Sequence, residues 1–126
     1  MCKTFHKTER LKSKVVFGEL IAEGNSVKKY PFVLVWKKVD VKQEFPTRIA
    51  FSVSKKRFPL AVDRNEMKRK ISELYRLNKS GWYDKLRNNY AVLLIYTSKE
   101  KMKSIDLENK LMLVFERFIA DVEKDY

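Results

Sequence analysis

The chain has one cysteine, Cys2, and one histidine, His6, in 126 residues. A single thiol excludes a disulfide framework and a thiolate metal cluster. A lone imidazole removes zinc sites built on paired histidines and leaves little for a histidine-dependent triad. Glycine and proline occur three times each, so there is no Pro/Gly-rich linker, and each of these residues acts as punctuation. Internal repeats and low-complexity stretches are also missing. No apolar run approaches the roughly 18 residues of a spanning helix, and the first residues lack a signal-peptide core. These absences predict a reduced, soluble, cytoplasmic protein with no membrane partner. Negative charge is scarce too: 16 Asp+Glu stand against 28 Lys+Arg, a net charge of +12. Such an excess implies a polyanionic partner or a membrane surface.

What is present supports a folded core. Apolar residues make up 44% and aromatics 13%, well above a disordered composition, and the length predicts one domain over 1–126. Residues 13–23 carry Val16, Phe17, Leu20 and Ile21 at helical spacing, closed by Gly24-Asn25. Residues 32–36 and 49–54 have strand character. The polar stretch 40–47 between them predicts an antiparallel hairpin with a long loop. The apolar run 90–97 predicts a strand buried on both faces. Two further helices are predicted, from 59 or 60 to 77 and from about 104 to 123. The last carries a stripe of Leu107, Leu111, Val114, Phe115, Phe118 and Val122. The order helix, strands, helix, strand, helix gives an α+β domain with helices packed on a sheet.

The segment 51–76 concentrates the charge. A strand ends in Lys55, Lys56 and Arg57, and the following helix carries Arg64, Lys68, Arg69 and Arg76. Stepping about 100° per residue gathers Met67, Ile71, Leu74 and Tyr75 on one side, facing the sheet. Asn65, Lys68, Arg69, Ser72 and Arg76 fall together in the adjoining sector, with Glu66, Lys70 and Glu73 on the remaining side. On a merely solvated helix, acids and bases would mingle. Segregated cations on rigid elements predict a phosphate-binding face, for which the planar arginine fork is well suited. A second surface is predicted where Phe17 and Ile21 lie one turn apart on the first helix. An open groove there would be completed by one of two sheet sets: Val33, Val35 and Lys37, or Phe32, Leu34 and Trp36. Taken alone, the spacing favours Phe17 as a core residue.

SVSKK at 52–56, followed by RNxxKR at 64–69 on a helix, resembles the bacterial ribonuclease P protein subunit. The resemblance runs over most of the chain, from Glu9-Arg10-Leu11 and the Phe17 helix, through Gly24-Asn25-Ser26 and Phe32-Val33-Leu34, to the last helix. It implies a small sandwich: a mostly antiparallel four-stranded sheet, three helices and a left-handed βαβ crossover. It also implies partners, namely a large catalytic RNA and precursor tRNA, whose 5′ leader is removed by endonucleolytic cleavage. Hydrolysis is then carried out by Mg2+ held on the RNA; the free protein is monomeric and binds no metal by itself. Carried across, Lys55, Lys56, Arg57, Arg64, Asn65, Lys68, Arg69 and Arg76 contact the catalytic RNA. Phe17, Ile21, Val35 and Lys37 fall in the cleft that receives the leader, against the core role for Phe17.

The chain departs from that family at Glu66, where arginine usually follows the arginine-asparagine pair, and at Ser72, another usually basic position. Ile21 and Val35 also stand where aromatic rings are common. Two other readings compete: a protein nuclease acting alone, and a general RNA-binding or ribosome-associated protein with no part in cleavage. A nuclease needs converging carboxylates, and Asp40, Glu44, Asp63 and Asp84 are scattered.

Overall fold

Alternation and apolar content build a sheet whose two faces carry different loads. A computed structural model describes residues 10–11, 14–40 and 43–124, with the side chains of 14–17 left aside. The element order is α1 (Lys14–Glu23), β1 (Asn25–Lys29), β2 (Phe32–Val39), β3 (Thr47–Val53), α2 (Ala61–Tyr83), β4 (Asn89–Tyr96) and α3 (Ser104–Glu123). The strands lie in the order β1-β2-β4-β3. β1 with β2 and β2 with β4 run antiparallel, whereas β3 with β4 is parallel. The sheet is therefore mixed, and β3, α2 and β4 form its βαβ unit.

One face packs under α2 and α3. Phe32, Leu34 and Trp36 of β2 and Tyr90, Val92, Leu94 and Tyr96 of β4 are buried there with the predicted α3 stripe. Ring packing closes this core: Trp82 stacks on Phe115 with centroids 4.3 Å apart, and Phe118 meets Trp36 at 5.6 Å. Aromatic pairs of this kind add about 0.5–1.5 kcal/mol each beyond the area they bury. The opposite face of β4 is buried as well, because Ala91 and Leu93 join Leu20 of α1 and Leu11 in a smaller cluster. A strand covered on both faces explains the unbroken apolar run at its centre.

Three expectations need correction. The strands 32–36 and 49–54 do not form a hairpin, because β4 lies between β2 and β3. A strand apolar on both faces takes the centre of a sheet, and that displaced the sequential pairing. α2 does not stop at 77 but runs through Gly81 to Tyr83. Lys79, Trp82 and Tyr83 are buried on its last turns, and that packing outweighs the cost of an exposed helical glycine. The residue pattern also missed β1, an edge strand in which Val27 alone is buried.

Candidate nucleic-acid interface

A tight turn positions the first cationic cluster. After β3 ends at Val53, Ser54 turns the chain: its hydroxyl accepts from the Lys56 amide at 3.2 Å and its carbonyl from the Phe58 amide at 2.9 Å. Serine favours such local bonds over continuing a strand. Phe58 is buried and anchors the turn, leaving Lys55, Lys56 and Arg57 exposed. Arg64 then hooks back from α2, its Nη1 donating to the carbonyls of Phe58 and Pro59 at 2.8 and 2.9 Å. Arg64 thus ties the turn to the helix, a task the sequence did not assign to it.

Along α2 the sheet-facing side is as predicted: Met67, Ile71 and Tyr75 are buried and Leu74 packs beside them. The hydroxyl of Thr47 on β3 meets that of Tyr75 at 2.7 Å, and Tyr83 OH lies 2.7 Å from Tyr75 OH, so the helix is fixed to the strand in polar register as well. On the adjoining side Asn65 and Arg69 are exposed, with Lys68 and Ser72 half-buried. Lys68 and Arg69 have no acidic partner among the described residues, and neither do Lys55, Lys56 or Arg57. Arg10, Phe51, Lys68, Arg69 and Ser72 border an open groove of about 510 Å³ between α2 and the edge strand β3. Arg10 reaches it because the chain around it runs beside β3, with the Leu11 amide donating to Ile49 at 3.0 Å.

The separation of acids from this face is incomplete. Glu73 lies on the groove wall and takes Arg76 in a two-pronged ion pair, Nε to Oε2 at 3.1 Å and Nη2 to Oε1. The contact raises the Arg76 guanidinium further and holds the Glu73 carboxyl below its usual range. An i,i+3 reach bridges sectors that a helical projection separates. Glu66 behaves differently: it and Asp63 both grip Lys101 Nζ, at 2.8 and 2.9 Å.

The second predicted surface lies on the α1 side of the sheet. Of the two sets left open by the sequence, Val33, Val35 and Lys37 face α1, while Phe32, Leu34 and Trp36 are buried under α2 and α3. Val35 is half-buried beside Leu93, its register partner, and Ile21 is 77% exposed on α1. Lys37 is engaged by Glu23 at 3.0 Å and Glu19 at 3.4 Å, chiefly the first, which raises its pKa. The Phe17 side chain lies outside the described residues, so its place in a cleft or a core is open. Lys28 was missed. It pairs in register with Val33 and is exposed at the same face; with Val27 alone buried in β1, the segment carries too little alternation to signal it.

Comparison with known proteins places this architecture. The family model described as Ribonuclease P matches residues 5–119. The ribonuclease P protein component of Porphyromonas gingivalis is 33% identical over 98 residues, spanning 76% of this chain and 72% of that protein. Its counterpart from Chlorobaculum tepidum is 28% identical over 122 residues, spanning 90% and 75%. Among solved structures, the Staphylococcus aureus RNase P protein superposes with a TM-score of 0.70 at 27% identity, covering 87% of this chain and 94% of that one. The Thermotoga maritima RNase P protein gives 0.70 at 25% identity, covering 86% and 96%.

Proposed function

The chain belongs to the ribonuclease P protein family, and from that premise we propose that it binds the RNA subunit of the enzyme and the 5′ leader of precursor tRNA. Its role is tRNA 5′ maturation as the protein component of an endoribonuclease. Lys55, Lys56 and Arg57 on the turn and Asn65, Lys68 and Arg69 on α2 take RNA phosphates. The observation that carries this reading is Lys68 and Arg69, cations on a rigid helix without acidic partners among the described residues, at the lip of a groove. Cations so held neutralise phosphates without first breaking an ion pair, and give affinity that falls steeply with salt. Asn65 adds a neutral donor and acceptor within reach of a 2′-hydroxyl.

The leader lies on the α1 side of the sheet, over Val35 and beside Ile21, with Phe17 contributing from α1 and Lys28 and Lys37 near its rim. Apolar side chains there meet bases, and the lysines meet the backbone. Hydrolysis belongs to the RNA, which holds Mg2+; this chain's residues bind and orient. Among the described residues no three His, Cys, Asp or Glu side chains converge to hold a metal ion. No described helix is long and apolar enough to cross a membrane, and the protein works as a monomer in the cytoplasm until it meets its RNA.

Precursor tRNA incubated with protein alone, with the RNase P RNA of the same genome alone at low Mg2+, and with both tests this reading. Cleavage should appear at low Mg2+ only when both are present. Cleavage by protein alone, or no gain from adding protein to the RNA, would overturn it.

A further inference from the structure

α2 carries acids where they can do harm. Glu66 precedes Arg69 by three residues and Lys70 by four, the spacings at which helical side chains meet. Glu73 stands in the same i,i+3 relation to Arg76, and it does pair with that arginine. Glu66 has no such contact with Arg69 among the described residues. Its carboxylate is instead turned to Lys101, in the connection between β4 and α3, at 2.8 Å, and Lys101 also takes Asp63 at 2.9 Å. The two glutamates differ in what is offered from outside the helix.

We propose that Lys101 is a positioning residue which sequesters Asp63 and Glu66 on the far side of α2, so that Arg69 stays available to RNA phosphate. This rests on the reading that the Arg69 side of α2 is an RNA surface. The hydrogen bond from Lys101 is the foremost cause holding the Glu66 carboxyl below its usual range, with Lys70 a lesser contributor. Without Lys101, Glu66 would meet Arg69 as Glu73 meets Arg76, and each phosphate contact would first require that pair to break.

A double-mutant cycle on binding to the RNase P RNA of the same genome tests it, with the slope of affinity against salt as second readout. Lys101→Met should weaken binding about tenfold, the order of one charge-assisted contact, and lower the salt slope by about one charge. Glu66→Gln alone should change affinity by less than about twofold, and Lys101→Arg should keep it. The double variant Lys101→Met/Glu66→Gln should recover both affinity and slope, because the competing carboxylate is gone. Additive effects, with the slope still reduced in the double variant, would overturn the proposal in favour of a direct Lys101–phosphate contact. Arg69→Ala, measured alongside, separates the two layers. A loss there with an additive cycle overturns the sequestering role alone, whereas no loss overturns the RNA surface beneath it.

Discussion

Thr47 at the start of β3 and Tyr75 in the middle of α2 join their hydroxyls at 2.7 Å inside the core. Tyr83, two turns further on, closes the triangle, with its own hydroxyl 3.1 Å from Thr47 Oγ1 and 2.7 Å from Tyr75 OH. Apolar packing alone lets a helix slide or rotate by small steps, whereas a buried triangle of hydroxyls fixes one register, since any slip leaves polar groups unpaired. The same helix presents Lys68 and Arg69 on its adjoining side, so the register of the core sets the aim of the cations.

Replacing Thr47 by valine keeps the shape and removes the shared partner of both tyrosines. The loss should be about 1–2 kcal/mol, read as a lower urea midpoint with an unchanged m-value. Tyr75→Phe should cost a similar amount, because Thr47 and Tyr83 still bond each other. A substitution at Thr47 without effect on the midpoint would mean that the triangle contributes nothing net to stability.

Arg69 and Arg76 lie on the same predicted face but in different electrostatic situations. Arg69 has no acidic partner among the described residues, whereas Arg76 is clamped by Glu73. Arg69→Ala should weaken binding to the RNase P RNA and lower the salt slope by about one charge. Arg76→Ala should change both much less. Glu73→Gln should instead strengthen binding, because that carboxylate then no longer competes with phosphate for the Arg76 guanidinium. Equal losses at both arginines, measured by filter binding across a salt series, would show that RNA strips Arg76 from its glutamate.

How far these features could be read in the sequence depends on how local their causes are. The apolar sides of α2 and α3 follow from helical period, and α3 came out with its predicted bounds because one stripe serves one core. The Ser54 turn and its three exposed cations are equally local. Strand order was not legible, since β4 displaced a hairpin that looked plausible between neighbours. The partners of acids were not legible either: Glu66 is reached by Lys101, 35 residues away in sequence, and a helical projection sees only its own helix. The same projection assigned Glu73 and Arg76 to different sectors, although residues at i,i+3 lie only about 60° apart and their side chains span that gap. Lys28 was missed because a strand with a single buried residue carries almost no alternation.

Gly24 sets the seat of α1 on the sheet. A Cβ added there would collide with the Leu20 carbonyl oxygen and lie 2.7 Å from Val35 Cγ1, closer than carbon atoms tolerate, and the carbonyl cannot yield without unwinding the last turn. Gly24→Ala should therefore lift α1 from Val35, lowering thermal stability by about 1–3 kcal/mol, the usual cost of overpacking. In the proposed reading it should also weaken binding of precursor more than of mature tRNA to the holoenzyme, since the seat of α1 shapes the leader surface. Equal effects on both tRNAs would remove α1 from that surface.

The pair of Glu66 and Lys101 makes a statement about acid. Glu66 is held below the ordinary glutamate value of 4.5, first by the hydrogen bond from Lys101 and then by its charge. A carboxyl whose folded pKa is depressed stabilises the fold fully above its unfolded value and loses that contribution as pH falls through the folded one. The difference in urea midpoint between wild type and Glu66→Gln should thus stay constant above about pH 5 and shrink below it. Lys101→Met removes the main cause, so the Glu66 carboxyl carbon, followed by NMR, should titrate closer to 4.5 than in the wild type. An identical midpoint in both proteins would show that the ion pair is not populated in solution. It would also leave Glu66 free to reach Arg69 at every pH where the carboxylate is charged.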